Sequence, residues 1–266
     1  MSYELHHGDC LDVMAGMEDG CIDLTVTSPP YDNLRKYNGY TFDFESIARE
    51  LYRVTKPGGV VVWVVADATI KGSETGTSFR QALYFKDVCG FNLHDTMIYE
   101  VAGTGAKGSH AAYWQAFEFM FVLSKGAPKS VNRLRDMKHK TRNQSGQRLR
   151  PHADGTIRAP ELYTTEAYGT RTNLWRYHVG NNGEDSYGHP APFPEALARD
   201  HILSWSNEGD LVFDPFLGSG TTGKMAILNR RRFIGCDISA EYCEIARKRI
   251  EAAALAATQL QLFGGE

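Results

Sequence analysis

The sequence lacks several features that would assign its class at once. Its longest apolar run, residues 60–66, has only the length of a β-strand, so no membrane span is predicted. The first residues show no basic region followed by an apolar segment, and a cytoplasmic location is therefore expected. The 5 cysteines show no metal-ligand spacing, and their odd number favours reduced thiols in the core.

Neither positive nor negative charge is in large excess over the whole chain. The net charge is -3 across 266 residues, which does not by itself indicate a nucleic-acid partner. Residues 125–158, however, carry ten lysines and arginines against two aspartates. Such a run is usually a solvated loop, but this one lies between two motif-bearing regions, which favours contact with a phosphate backbone.

Strand and helix patterns alternate along the sequence. Strands are predicted at residues 3–7, 22–27, 60–65, 96–101, 117–123, 211–213 and 233–237, and helices at residues 11–17, 44–54, 79–88, 193–206, 222–229 and 241–257. Pro57-Gly58-Gly59 is predicted to separate a helix from the strand that follows. The alternation predicts an α/β fold with a doubly wound, mainly parallel sheet.

Two motifs at opposite ends of the chain carry most of the functional information. Thr27-Ser28-Pro29-Pro30-Tyr31 follows a predicted buried strand, and Asp214-Pro215-Phe216-Leu217-Gly218-Ser219-Gly220-Thr221-Thr222 follows another strand near the C-terminus. Glycines let the backbone turn tightly beside a ligand. Asp237 ends the next strand, where a carboxylate can accept hydrogen bonds from ribose hydroxyls. This geometry suits any nucleoside cofactor, including NAD, and the glycines alone are also compatible with a simple turn.

Together and in this order, the motifs resemble those of DNA amino-methyltransferases that use S-adenosylmethionine, in the circularly permuted β class. The resemblance implies a Rossmann-like methyltransferase fold in which Asp214 lies near the cofactor amino group and Asp237 holds its ribose. Asp9 matches the family acid that meets the adenine ring, and it is equally suited to cap the helix that follows. The implied cofactor residues are Asp9, Cys10, Asp214, Pro215, Phe216, Gly218, Gly220, Thr221 and Asp237.

The resemblance assigns the reaction site to Ser28, Pro29, Pro30 and Tyr31. An exocyclic amine is a poor nucleophile, because its lone pair is conjugated with the base ring. Ser28 and the Pro29 carbonyl can accept its hydrogens, and Pro30 has no N–H to compete. Tyr31 offers a ring on which a base flipped out of double-stranded DNA can stack. A strand end followed by a turn would explain the prolines but not the whole tetrapeptide, and the lack of a Pro-Cys dipeptide argues against covalent C5-cytosine chemistry.

The first residue of the tetrapeptide bears on the target base. In the resembling family Asp is typical of most adenine-N6 enzymes and Ser of many cytosine-N4 enzymes, so Ser28 favours cytosine N4. Phe193-Pro194 points the same way, because many adenine-modifying relatives carry Lys-Pro there. Adenine N6 is the nearest alternative, and a catalytically silent DNA-binding module is the alternative from another class.

The segment between the two motifs has few apolar residues and no sustained periodicity, which predicts an insertion with little core. The resemblance places the DNA-reading segment there. The predicted DNA contacts are Arg133, Arg135, Lys138, Lys140, Arg142 and Arg148. The predicted divisions are residues 1–125 for the catalytic half, 126–172 for the target-recognition insertion, 173–257 for the cofactor half and 258–266 for a C-terminal tail.

Two smaller segments have competing interpretations. Gln259-Leu260-Gln261-Leu262-Phe263 resembles the pentapeptide with which bacterial DNA-processing proteins dock on the replication sliding clamp. Packing of its apolar residues on the protein's own surface or on a second subunit is slightly favoured, because so short a string recurs by chance; a homodimer stays open. Trp114 or Phe117 could cover the flipped base, but an aromatic cluster beside a strand is more often core, which is the prediction adopted.

Overall fold

The computed structural model describes residues 2–30, 42–102, 113–139, 145–148, 152, 154–157, 161–178 and 194–263. The chain divides into two compact units, Met1–Asn132 with Asn173–Glu266, and Arg133–Thr172. In chain order, the strands are β1 (Tyr3–His7), β2 (Ile22–Thr27), β3 (Thr55–Val65), β4 (Thr69–Ile70), β5 (Ser73–Glu74), β6 (Asn92–Ala102), β7 (Phe117–Ser124), β8 (Met137–Lys138), β9 (Ser145–Arg148), β10 (Glu161–Thr164), β11 (Tyr168–Gly169), β12 (Leu174–His178), β13 (Leu211–Asp214) and β14 (Arg232–Asp237). The helices are α1 (Cys10–Ala15), α2 (Phe44–Val54), α3 (Thr77–Tyr84), α4 (Glu195–Trp205), α5 (Thr221–Leu228) and α6 (Ala240–Phe263), and a π-helical turn, Phe85–Cys89, follows α3.

The first unit is built on an eight-stranded sheet in the order β1-β14-β13-β2-β3-β7-β6-β12. The five strands from β1 to β3 run parallel, β7 is antiparallel to both of its neighbours, and β12 runs parallel to β6. Within the residues described, no helix combines the length and the apolar character needed to cross a membrane. The predicted α/β class and mainly parallel sheet are confirmed.

Helices cover both faces of this sheet, as its central strand requires. All six residues of β2 are buried, which is typical of a parallel strand packed on both sides. On one face, α1 and α2 form a common core with Trp63 of β3 and Phe85 of the π-helical turn. On the other face, α5 packs between α4 and α6. The sheet therefore keeps its strand ends, and not its faces, available for ligands.

The two largest differences from the predicted element boundaries are at the start of β3 and at the end of α6. Pro57-Gly58-Gly59 does not separate α2 from the strand but lies inside β3, which begins at Thr55; the pairing of β2 with β3 jumps there, from Ile22 opposite Thr55 to Leu24 opposite Val60. A bulge absorbs the extra residues, and Gly58 has a φ of +79°. Helix α6 continues to Phe263, well into the predicted tail, because no glycine or proline interrupts it before Gly264.

The aromatic residues ahead of β7 are not core residues, so that prediction is wrong. Tyr113 is 102% exposed, Trp114 is 68% exposed and Phe117 is 41% exposed. Only Phe121, further along β7, is buried with the sheet. Tyr113 and Trp114 precede β7, and Phe117 is its first residue, paired with Glu100 at the end of the ladder with β6.

The second unit consists of two short antiparallel strand pairs, β9 with β10 and β8 with β11. Of its described residues only Gly169 is buried, and apolar side chains such as Leu162 stand exposed. Few apolar residues were available to form a core, as the composition of this segment predicts.

Candidate active site

Four neighbouring parallel strands deliver polar residues to one edge of the sheet, here called the carboxyl edge. Asp237 ends β14 and Asp214 ends β13, while Asp9 follows β1 and Ser28 follows β2. These strands are adjacent in the order β1-β14-β13-β2. The carboxyl ends of parallel strands are where open α/β sheets bind ligands, so the two motifs distant in sequence share one site.

A side-chain hydrogen bond ties the two motifs together. The hydroxyl of Thr27, the last residue of β2, donates to a carboxylate oxygen of Asp214 over 2.7 Å. Thr222, at the start of α5, donates to the carbonyl of Val26 over 3.2 Å. The reaction strand and the cofactor strand are therefore held in register by their own side chains as well as by the sheet.

The side chain of Asp214 is an ionisable group that is almost fully excluded from solvent. It is 2% exposed, and burial raises its pKa to about 6 although the Thr27 and Thr222 hydroxyls and the Phe216 amide hydrogen-bond to it and oppose the shift. The Phe216 amide donates over 3.1 Å. A buried carboxylate with a raised pKa is stabilised by a nearby positive charge, and a ligand with an ammonium group would supply one.

Asp237 organises the turn between β13 and α5. One of its carboxylate oxygens accepts the amide of Gly218 over 2.9 Å and the other accepts the amide of Ser239 over 2.8 Å. Burial raises its pKa. Each carboxylate oxygen retains a second lone pair, so Asp237 can still accept hydrogen bonds from a pair of hydroxyls.

The turn itself, residues 215–220, needs glycine at two positions. Gly218 has a φ of +50° and Gly220 a φ of +79°. A Cβ atom on Gly220 would lie 2.7 Å from the Cβ and 2.9 Å from the Cα of Ala246 in α6, so the second glycine also allows a close helix contact. Thr221 begins α5 and is 3% exposed, and Pro215 joins the strand to the turn.

Asp9 and Cys10 occupy the start of α1. Asp9 accepts the amide of Leu11 over 2.8 Å and is the N-cap of this helix, so the capping prediction is confirmed. The Cys10 side chain is 3% exposed and belongs to the core shared by α1 and α2. The contacts of Asp9 and Cys10 with a cofactor stay predictions.

The reaction tetrapeptide begins in a partly enclosed position. Ser28 and Pro30 are half-buried and Pro29 is buried, whereas Tyr31 lies outside the described residues. Phe216 of the turn packs edge-on against Phe42, with ring centroids 5.7 Å apart. The site therefore has a rigid, mostly apolar wall beside its polar groups.

Arg249 of α6 is a positioning residue that the sequence prediction missed. Its guanidinium donates to the Ser219 carbonyl over 2.6 Å and the Ser219 hydroxyl over 2.9 Å, and to a Glu195 carboxylate oxygen of α4 over 2.7 Å. Lys224 of α5 pairs with the same oxygen over 2.9 Å. The only sequence signal was helical spacing, because Arg249 lies one turn after Ala246, the residue that contacts Gly220.

Replacing Arg249 is expected to weaken cofactor binding while leaving chemistry nearly intact. Arg249→Met leaves the Ser219 carbonyl without its charged donor, a loss of about 1.5–3 kcal/mol that loosens the turn. We expect the KM for the methyl donor to rise on the order of tenfold with kcat little changed. Arg247→Met is the matched control, since Arg247 is exposed and pairs with Glu244 of the same helix. Equal KM values for the two variants would contradict the positioning role.

Of the predicted DNA contacts, three can be located with their side chains. Arg133, Arg135 and Lys138 are exposed in the second unit, and Arg135 is ion-paired with Glu166. Exposed pairs of this kind are weak and can exchange for phosphate. Arg148 lies in β9, its side chain outside the described set, and Lys140 and Arg142 lie outside the described residues.

The fold and this edge define a class: a Rossmann-like α/β protein with a nucleoside-binding glycine turn beside a second polar motif. A family of DNA methylases, described by its N6 and N4 members, matches residues 22–248. The orphan methyltransferase M.BamHII of Bacillus amyloliquefaciens is 55% identical over 248 residues, covering 88% of this chain and 90% of that protein. The chain therefore belongs to the N6/N4 DNA methylase family and is a DNA methyltransferase.

More distant relatives divide between the two target bases. The DNA adenine methyltransferase YhdJ of Escherichia coli K12 is 28% identical over 258 residues, covering 93% of this chain and 82% of that protein. The structure of PvuII DNA methyltransferase, described as cytosine-N4-specific, superposes with a TM-score of 0.71 at 21% identity and covers 98% of this chain and 93% of that one. The DNA amino-methyltransferase family and the α/β fold predicted from the two motifs are confirmed, whereas the permuted β class stays a prediction.

Proposed function

We propose that this methyltransferase moves a methyl group from S-adenosylmethionine to the exocyclic N4 of a cytosine flipped out of double-stranded DNA. The observation that supports this most is the adjacency of β2 and β13, with Thr27 hydrogen-bonded to Asp214. It brings the end that carries Ser28 beside the end that carries the glycine turn. Methyl donor and acceptor can then meet without any covalent enzyme intermediate.

The charges at the carboxyl edge suit this cofactor. Asp9, Asp214 and Asp237 supply three carboxylates, and in the part of the chain that the structure describes none is paired with a lysine or arginine. S-adenosylmethionine carries a positive ammonium and a positive sulfonium and supplies an electrophilic methyl group. We assign Asp214 to the ammonium, Asp237 to the ribose hydroxyls and Asp9 to the adenine.

The reaction tetrapeptide would prepare the amine for attack. Ser28 Oγ and the Pro29 carbonyl accept the two amine hydrogens, which draws the nitrogen lone pair away from conjugation with the ring and aims it at the methyl carbon. The N–C bond forms as the C–S bond breaks, and the amine then releases one proton to solvent. Tyr31 is assigned to stacking on the flipped base.

The basic second unit is assigned to target recognition. Arg133, Arg135 and Lys138 are the described members of the predicted contact set, and their exposure permits phosphate or guanine contacts. In this assignment the DNA-reading unit separates the reaction half from the cofactor half, which is the permuted order of the β class.

Adenine N6 is the second candidate target, favoured by the similarity to YhdJ, whose name specifies adenine. Ser28 supports cytosine, because Ser at this position is typical of many cytosine-N4 enzymes in the resembling family and Asp of most adenine-N6 enzymes. The proposal therefore rests on the tetrapeptide, and the nucleoside produced decides between the two bases.

We expect incubation with labelled S-adenosylmethionine and unmethylated genomic DNA to yield N4-methylcytosine on nucleoside analysis. N6-methyladenine would favour the second candidate, and no transfer of label to DNA would overturn both. Ser28→Ala should lower kcat on the order of tenfold or more without weakening cofactor binding, since one acceptor of the amine is lost. Exposed Ser73→Ala is the matched control. If Ser28→Ala left every effect of the protein unchanged, a catalytically silent DNA-binding module would be the better description.

A further inference from the structure

The buried seam of helix α6 ends well before the helix does. The seam consists of Cys243, Ala246, Ile250 and Ala253. From residue 254 to residue 258 no residue is buried, and Leu255 is 67% exposed. The apolar residues after the seam, such as Leu255, are therefore not explained by core packing in the described part of the helix.

That end points away from the active site. Helix α6 starts at Ala240, directly after the carboxyl end of β14. Further along, the Tyr3 hydroxyl at the amino end of β1 donates to the Glu251 carboxylate over 3.4 Å, so by Glu251 the helix has reached the opposite edge of the sheet. A partner bound to the last turns would leave the carboxyl edge open to DNA.

The final turns carry an unusual pattern for a helix. Residues 259–262 alternate between glutamine and leucine, which is the period of an extended chain. At about 100° per residue, positions 260 and 262 fall on opposite sides of a helix, whereas in an extended chain they share one side. No charged residue occurs between Glu251 and Glu266, so burial of the segment would desolvate no ion. The pattern fits a segment that is buried in extended form by another protein.

We propose that Gln259-Leu260-Gln261-Leu262-Phe263 docks this methyltransferase on the DNA sliding clamp. The pentapeptide resembles the clamp-docking strings of bacterial DNA-processing proteins, with a leading glutamine and a closing leucine and phenylalanine. In this proposal the apolar closing pair is buried by the partner, and the glutamine amide supplies a hydrogen bond at the edge of that contact. The last turns of α6 unwind on docking, and the residues before them, 254–258, include no buried residue that would oppose the change.

Docking on the clamp would hold the enzyme at the place where new double-stranded DNA is synthesised. The ring travels with replication, and a tethered enzyme meets the new duplex at a high effective concentration. Residues 254–258 form the spacer between the anchored helix and the pentapeptide. This advantage rests on the proposed function, whereas the docking itself does not.

The test uses the full chain and a purified bacterial sliding clamp, with binding measured by biolayer interferometry. We expect the wild-type chain to bind and the Leu262→Ala/Phe263→Ala variant, like a chain ending at Thr258, to bind at least tenfold more weakly. Leu255→Ala is the matched control, since it removes an exposed leucine of the same helix outside the pentapeptide and should bind as wild type. Methyl transfer to a short duplex should be equal in all four proteins.

Three results would overturn the docking proposal: no clamp binding, equal binding by the truncated chain, or an equal loss of binding in Leu255→Ala. Sedimentation of the free proteins adds a fourth. If the double variant lowers self-association and leaves clamp binding unchanged, the segment is an interface between copies of this chain. Clamp binding without methyl transfer would instead overturn the proposed function alone, so the two failures are distinguishable.

Discussion

Asp214→Asn is expected to make the protein more stable and unable to bind its cofactor at ordinary concentrations. Removing one partner of a buried charge pair costs about 2–5 kcal/mol, so affinity for S-adenosylmethionine should fall at least about thirtyfold. The folded protein without cofactor should gain stability at pH 8, because a neutral amide replaces a carboxylate that is wholly buried. Isothermal titration calorimetry and urea unfolding measure the two effects. A loss of binding together with a gain in stability excludes misfolding as the cause.

The pH dependence of that gain follows from the pKa of Asp214. Its folded pKa of about 6 lies above the ordinary value of 3.8, so the folded state holds the proton more tightly than the unfolded state. Stability is therefore lost as pH rises from about 4 to about 6, by about 3 kcal/mol in total. The advantage of Asp214→Asn should be largest at pH 8 and vanish near pH 4. Equal stability of the two proteins at both pH values would contradict the shift.

Thr27→Val tests the hydrogen bond to Asp214 independently of the charge on Asp214. The variant keeps Asp214 but removes the hydroxyl that donates to it over 2.7 Å. Stability at pH 8 should therefore fall by about 1–3 kcal/mol, while the negative charge for the cofactor remains. If Asp214→Asn bound the cofactor as tightly as the wild-type protein, Asp214 would not be a cofactor-binding residue.

Gly220→Ala is expected to destabilise the fold by about 2–5 kcal/mol. A left-handed backbone costs a non-glycine residue about 1–2 kcal/mol, and forcing extra volume into a packed contact costs about 1–3 kcal/mol. Both terms apply here, since Gly220 has a φ of +79° and its added Cβ would lie 2.7 Å from the Cβ of Ala246. Urea unfolding followed by tryptophan fluorescence measures the loss.

Gly209→Ala measures the cost of the left-handed backbone without the collision of side chains. Gly209 has a φ of +83°, but a Cβ there would meet nothing within 4 Å, so only the backbone cost of about 1–2 kcal/mol is expected. In the double variant Gly220→Ala/Ala246→Gly, part of the additional loss should be recovered, because one of the two colliding atoms is removed. Equal losses in Gly220→Ala and Gly209→Ala would show that the approach of α6 to the turn does not constrain residue 220.

The sequence was sufficient to predict the elements that carry strong local signals. Helix α2 was predicted at Phe44–Val54, where apolar residues recur with helical spacing, and it has those bounds. Strand β2 was predicted at Ile22–Thr27 and is confirmed. The placement of Asp214 and Asp237 at strand ends followed from glycine chemistry, because tight turns after parallel strands leave few alternatives.

What could not be predicted depends on contacts between distant residues. The hydrogen bond from Arg249 to the Ser219 carbonyl forms because α6 packs beside the glycine turn. The local sequence does not distinguish Arg249 from Arg247, so this bond could not be predicted. The bulge at Gly58 arises from register with β2, and a helix-breaking string does not reveal on which side of a boundary it lies. The exposure of Trp114 depends on where β7 enters the sheet, whereas its aromatic character alone suggested burial.

The position of β1 in the sheet has a consequence for the way the enzyme is made. Among the described strands, Tyr3 to His7 pair with β14 alone, from Phe233 to Asp237. A nascent chain therefore cannot seat β1 in the sheet until β14 has left the ribosome. Pairings between strands far apart in the sequence close late and slow folding. A product truncated before β14 lacks Asp237 at the carboxyl edge, so methyl transfer is expected to begin only after β14 has been synthesised.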